Sequence, residues 1–181
     1  MKKIFLVIMC ALSFMATQAQ EKKVLVAYFS CTGNTERIAK AIAETVEADL
    51  YRILPQKIYT SSDLDWRNAR SRSSIEMNDS AARPSLADKK AKIENYEVIF
   101  LGYPIWWDMC PRIINTFLEA YDWTGKIVIP FATSGSSSIT NSVKQLKLHY
   151  SNLKWDTGKL LNKGTEEAVK WSEEIINSMI K

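Results

Sequence analysis

Histidine, cysteine and long apolar runs are all scarce in this chain, and each scarcity removes a class of function. The single histidine is His149, within the polar stretch Leu148-His149-Tyr150. A Ser-His or Cys-His hydrolase site would depend on it alone. The three cysteines, Cys10, Cys31 and Cys110, lie far apart in sequence. With one histidine they make neither a structural zinc site nor a disulfide scaffold. Charge of one sign is lacking too, since the net formal charge is only +4. No clustered basic face of the kind that binds nucleic acid is visible.

The longest apolar run, Ile4–Ala16, is broken by Ser13 and is too short to span a bilayer comfortably, which takes about 20 apolar residues; an uncleaved N-terminal anchor is the alternative to the reading that follows. Lys2 and Lys3 precede it, and Thr17-Gln18-Ala19 follow it. A short positive region, an apolar core and small residues before a cut form a secretory signal peptide. Residues 1–19 are therefore expected to be removed after Ala19, leaving residues 20–181 as one domain. That domain is expected to be exported, periplasmic or secreted, with no stable membrane insertion. The signal carries two lysines and no acid, so its loss lowers the charge from +4 to +2.

What is present is an alternation of two patterns. Val24–Ser30 is a short apolar, β-rich run, and Asn34–Val46 places Ile38, Ala41 and Ile42 at helical spacing. Ala48–Leu54 reads as a second strand. Val98–Tyr103 reads as a third, apolar at consecutive positions, as strands covered on both faces are. Pro111 can open a helix through Ile113, Ile114, Phe117 and Leu118. Lys126–Phe131 is a fourth strand, followed by a helix from about Ser138; a weak strand around Trp155–Leu161 precedes a last helix over Thr165–Ile180. Such alternation predicts an α/β fold, a parallel sheet with helices on both faces. Residues 56–97 interrupt it with a polar segment for which a helix near Asp63–Ser73 is expected.

In such a sheet, ligands sit beyond the carboxyl ends of the strands. The first loop there, Ser30-Cys31-Thr32-Gly33-Asn34-Thr35, combines hydroxyls and one glycine with a helix start. That suits a phosphate. The loop lacks the Gly-Lys-Ser/Thr ending of a nucleotide triphosphatase and the three glycines of a dinucleotide fold, so a terminal monophosphate fits better. The second loop, Gly102-Tyr103-Pro104-Ile105-Trp106-Trp107, sets two adjacent indoles at a strand end. The third, Thr133-Ser134-Gly135-Ser136-Ser137-Ser138, lets backbone approach a ligand closely.

Ser30-Cys31-Thr32-Gly33-Asn34-Thr35 resembles the phosphate loop of flavodoxins, Thr/Ser-x-Thr-Gly-Asn-Thr. Gly102–Trp107 resembles the Gly-x-Pro-Ile-Trp-Trp stretch of a flavodoxin-like subfamily. The resemblance extends over residues 22–180. It includes Asn115-Thr116-Phe117-Leu118-Glu119 and the Gly125-Lys126 and Gly158-Lys159 pairs. It implies a doubly wound five-stranded parallel sheet of order 2-1-3-4-5 and non-covalently bound FMN used for electron transfer. Ser30, Cys31, Thr32, Gly33, Asn34 and Thr35 would hold the phosphate. Trp106 or Trp107 would flank the isoalloxazine, with Pro104 and Ile105 along its edge. Backbone amides of Thr133, Ser134, Gly135 and Ser136 would meet its pyrimidine side.

Many electron-carrying flavodoxins are strongly acidic. A charge of +2 departs from that and leaves the redox partner open, whether a protein or a small-molecule acceptor. Two other functions remain beside the carrier. One is an NAD(P)H-dependent quinone or azo reductase on the same fold, with Arg67, Arg70, Arg72 and Arg83 drawing nucleotide phosphates. The other is a module that holds flavin, or another phosphate ligand, without redox use. In the resembled strand order the first and second of these loops are neighbours. Cys31 and Cys110 could therefore approach, although two separate thiols are the preferred reading.

Overall fold

A computed structural model of the chain describes residues 23–180; the signal reading and the cut after Ala19 lie outside them. The elements run β1 (Val24–Tyr28), α1 (Asn34–Thr45), β2 (Asp49–Arg52), α2 (Arg72–Asn78), β3 (Val98–Pro104), α3 (Arg112–Glu119), β4 (Ile127–Thr133), α4 (Thr140–His149), β5 (Lys154–Trp155), β6 (Lys159–Leu160) and α5 (Thr165–Ile180). All pairings in the sheet are parallel, in the order β2-β1-β3-β4-β5, with β6 also on β4.

β1, β3 and β4 form the centre of the sheet, and their residues alternate between two cores. Val26, Phe100 and Phe131 face α1 and α5, where they meet Ile38, Ile42 and Trp171. Leu25, Leu101 and Val128 face the other side and meet Ile113, Phe117 and Leu146 of α3 and α4. Burial on both faces explains why these strands are apolar at consecutive positions.

The weak strand expected at Trp155–Leu161 is real but broken. Lys154–Trp155 pairs with Ile127–Val128, and Lys159–Leu160 with Phe131–Ala132. Pro130 lies between these partners. The carbonyls of Val128 and Ala132 accept from Asp156 and Leu161, so by the strand's alternation Pro130 also faces this side. Having no N–H, it offers the fifth strand a carbonyl but no donor there, which breaks the ladder between the two pairings.

The helix expected near Asp63–Ser73 is absent, and α2 starts only at Arg72. Side chains compete for the backbone in that stretch. Asp63 accepts the Thr60 N–H (2.9 Å), Asp65 that of Arg67 (3.2 Å) and Asn68 that of Arg70 (3.0 Å). These local bonds hold turns in place of a helix. Ser71 then caps α2, its Oγ accepting the Ser74 N–H at 3.3 Å.

The long connection is anchored at its base and along its length. Gln56 N–H donates to the Ser85 carbonyl and Ala87 N–H to that of Leu54, each at 2.8 Å. The buried Arg112 guanidinium donates to the Glu76 and Met77 carbonyls at the end of α2. Among the described residues no helix is long and apolar enough to cross a membrane.

Candidate functional site

Because β1, β3 and β4 are adjacent and parallel, the loops at their carboxyl ends meet at one edge of the sheet. They enclose a cavity of about 720 Å³, within the ordinary range for cofactor sites. Ser30, Cys31, Thr32, Asn34 and Thr35 line it from the first loop, and Pro104, Ile105, Trp106 and Trp107 from the second. Thr133, Ser134, Gly135 and Ser136 line it from the third. Gly33 is not in the wall; it shapes the turn behind it.

Gly33 sits at φ +86° before α1 and receives no side-chain cap. Its N–H donates to Ser30 Oγ at 3.1 Å, which tightens the loop. The first bond within the helix runs from Arg37 N–H to the Gly33 carbonyl. The N–H groups of Asn34, Thr35 and Glu36 therefore have no backbone partner among the described residues, and they lie at the positive end of the helix dipole. Glu36, the acid in this turn, is held by Lys40 (2.7 Å) and Arg52 (3.8 Å). Lys40's hydrogen bond in particular keeps its carboxyl below the ordinary value. Arg37 also lines the cavity, and it forms no ion pair among the described residues.

In the second loop the Trp106 and Met109 backbones exchange two hydrogen bonds of 2.9 Å. Trp107 and Asp108 are left as the turn, at φ +46° and +60°. Primed hairpin turns require such values, but a bulky residue there is strained. The two indoles consequently part. Trp106 packs edge-on against Phe29 and Tyr59, at 5.8 and 5.4 Å between ring centroids. Trp107 is 47% exposed at the rim and stacks on no other ring among the described residues.

Most amides of the third loop are already engaged. Ser134 N–H donates to Asn162 Oδ1 at 2.9 Å. Ser136 and Ser137 N–H donate to Ser134 Oγ at 3.3 and 2.8 Å. Of the amides expected to reach a ligand here, Gly135's is the one with no partner among the described residues. Thr133 contributes its hydroxyl in a different direction, to Thr35 Oγ1 at 2.8 Å.

The rest of the wall was not anticipated. Leu64, Trp66 and Ser73 come from the long connection, Arg37 and Ile38 from α1, and Leu161 and Asn162 from the end of β6. Trp66 is 70% exposed. A lone indole in a polar segment was its only signal in the sequence. Behind this wall the Arg72 guanidinium lies 3.9 Å above the Tyr59 ring and bonds Glu76 at 2.6 Å.

Cys31 and Cys110 are both free thiols. Burial pushes each up to about 12, so both are protonated and poorly nucleophilic at neutral pH. His149 is exposed on α4, bonded to the Gln145 carbonyl and outside the cavity. No cluster of metal-ligating side chains occurs among the described residues.

Residues 23–175 match the flavodoxin family profile. The chain belongs to the flavodoxin family. Solved structures agree with this assignment. A crystal structure from Bacteroides eggerthii DSM 20697, provisionally named a flavoprotein, is 54% identical with a TM-score of 0.82; the match covers 86% of this chain and 98% of that one. Another with the same provisional name, from Bacteroides uniformis ATCC 8492, is 51% identical, also with a TM-score of 0.82, over 85% and 99% of the two chains. A flavoprotein in complex with FMN from Lactobacillus acidophilus NCFM shares the fold at 22% identity. Its TM-score is 0.64, over 83% and 99% of the chains. No curated protein matches the chain.

Proposed function

We propose that this flavodoxin-family protein binds FMN non-covalently in the cavity and carries electrons through it. The convergence of three strand-end loops on one cavity carries this reading. The donor set fits the ligand. Three N–H groups without a partner among the described residues, the Thr32 and Thr35 hydroxyls and the Arg37 guanidinium suit a dianionic phosphate. Glu36, the acid in the same turn, is paired with Lys40 and Arg52. FMN, when bound, supplies the redox chemistry.

The protein's own residues bind and orient. Trp107 is the residue placed to cover a planar ring, and its strained backbone is consistent with a position kept for function. Trp106, locked by Phe29 and Tyr59, is a fixed wall. Gly135 N–H is the third-loop amide free to meet a ring carbonyl.

Three ion pairs weigh against an NAD(P)H-dependent reductase. Arg72 and Arg83 are bound to Glu76 and Glu119, and Arg67 lies 3.6 Å from Asp65. Three of the four arginines expected to attract a nucleotide are thus engaged. The partner under this proposal is a redox protein or a small acceptor, met after export with residues 1–19 removed. N-terminal sequencing of the exported protein checks the cut.

Anaerobic titration of the FMN-loaded protein separates the readings. The carrier is bleached by dithionite, passes its electrons to ferricyanide and is reduced only slowly by NADPH. Rapid bleaching by NADPH alone would make it a reductase, and bound flavin inert to dithionite a non-redox module.

A further inference from the structure

Thr133 ends β4 and Thr35 lies in the first turn of α1, 98 residues earlier, yet their hydroxyl oxygens are 2.8 Å apart. Both side chains line the cavity and both are buried, at 9% and 1% exposure. Neither hydroxyl has another hydrogen-bond partner among the described residues. Two hydroxyls hold two protons, and their shared bond uses one. The pair therefore keeps one O–H proton with no partner among the described residues.

Which oxygen keeps it depends on what the cavity holds. If Thr35 donates to Thr133, the Thr35 oxygen turns lone pairs toward the loop where the Asn34, Thr35 and Glu36 amides gather. An anion there is repelled. If Thr133 donates, the Thr35 proton is released toward that anion, and the chain from Thr133 through Thr35 to the anion is mutually polarising. A phosphate selects the second arrangement.

We propose that Thr133 is a positioning residue of the phosphate subsite, acting through Thr35 rather than on the flavin ring. The proposal rests on the FMN reading above. It reassigns Thr133 from the pyrimidine side, where the third loop alone would place it, to the opposite end of the ligand. The chemistry recognised is a phosphate monoester dianion. Riboflavin, which has the ring and no phosphate, owes nothing to this pair.

The test compares the affinities of the purified apoprotein for FMN, riboflavin and inorganic phosphate in wild type, Thr133→Val, Thr133→Ser and Thr35→Val. Thr133→Val should weaken FMN roughly tenfold, the scale of a hydrogen bond to a charged group, and leave riboflavin within about twofold. Thr133→Ser, which keeps the hydroxyl, should restore FMN binding. The Thr35→Val/Thr133→Val double variant should bind FMN no more weakly than Thr35→Val alone. Equal loss of FMN and riboflavin in Thr133→Val would overturn the proposal, as would unchanged FMN affinity. If Thr133→Val does not fold, Thr133→Ala removes the same hydroxyl without new bulk, with the same expected results. Should wild type bind neither flavin, the FMN reading fails by itself, and inorganic phosphate decides about Thr133. Phosphate binding lost in Thr133→Val sustains its role; phosphate binding unchanged, or absent in wild type, ends it.

Discussion

Asn162 grips Ser134 at both of its backbone groups: its Oδ1 accepts the Ser134 N–H at 2.9 Å, and its Nδ2 donates to the Ser134 carbonyl at 2.7 Å. The clamp fixes the third loop from a residue beyond β6. Asn162→Ala removes both bonds at an exposed position. Global stability should change by less than about 1 kcal/mol, while hydrogen exchange at the Ser134 amide quickens at least about tenfold. Unchanged exchange would show that the loop is held elsewhere.

Two glycines near the site should fail for different reasons. At Gly33 a Cβ meets nothing within 4 Å, but φ is +86°. Gly33→Ala should cost about 1–2 kcal/mol by strain, and Gly33→Asn less. At Gly102 a Cβ would stand 2.2 Å from the Phe131 ring inside the core. Gly102→Ala should cost about 1–3 kcal/mol by overpacking, and Gly102→Asn more. Urea denaturation reads both series, whose opposite response to asparagine is the distinguishing result.

Arg37 is assigned to the ligand's charge, so Arg37→Gln should weaken FMN by about threefold to tenfold without affecting riboflavin. The salt dependence of FMN binding should flatten in the variant. Parallel salt curves for the variant and wild type would place the guanidinium away from the phosphate.

Away from the cavity, Glu119 gives the fold a pH dependence. The Arg83 hydrogen bond, chiefly, and the Tyr150 hydroxyl hold its carboxyl below the ordinary value. A carboxyl depressed on folding stabilises fully above its unfolded pKa, about 4.3. That contribution is lost as pH falls through the lower folded value. The Tm gap between wild type and Glu119→Gln should therefore be widest near pH 6 and close toward pH 3. A gap independent of pH would show that the carboxylate's charge is not what matters.

The parts of this fold legible in the sequence are those governed by local pattern. β1, α1, β3 and β4 declare themselves by runs and spacing, and the three loops follow from where those strands end. What escaped depends on side-chain competition or on distant partners. Asp63, Asp65 and Asn68 look tolerable in a helix until each captures a nearby N–H. Pro130 was visible, but not that its missing N–H faces the fifth strand. Trp66, Arg37 and Asn162 join the site only through tertiary placement, which no motif announces. The engaged amides of the third loop were hidden for the same reason.

The central claim is that the cavity holds FMN beside Trp107, and a visible spectrum of the purified protein, mixed with FMN and freed of unbound ligand, tests it most directly. Retained flavin bands with quenched fluorescence, the quenching relieved in Trp107→Leu, are the predicted result. Flavin that washes through with the buffer would contradict the claim and leave the three loops in need of a different ligand.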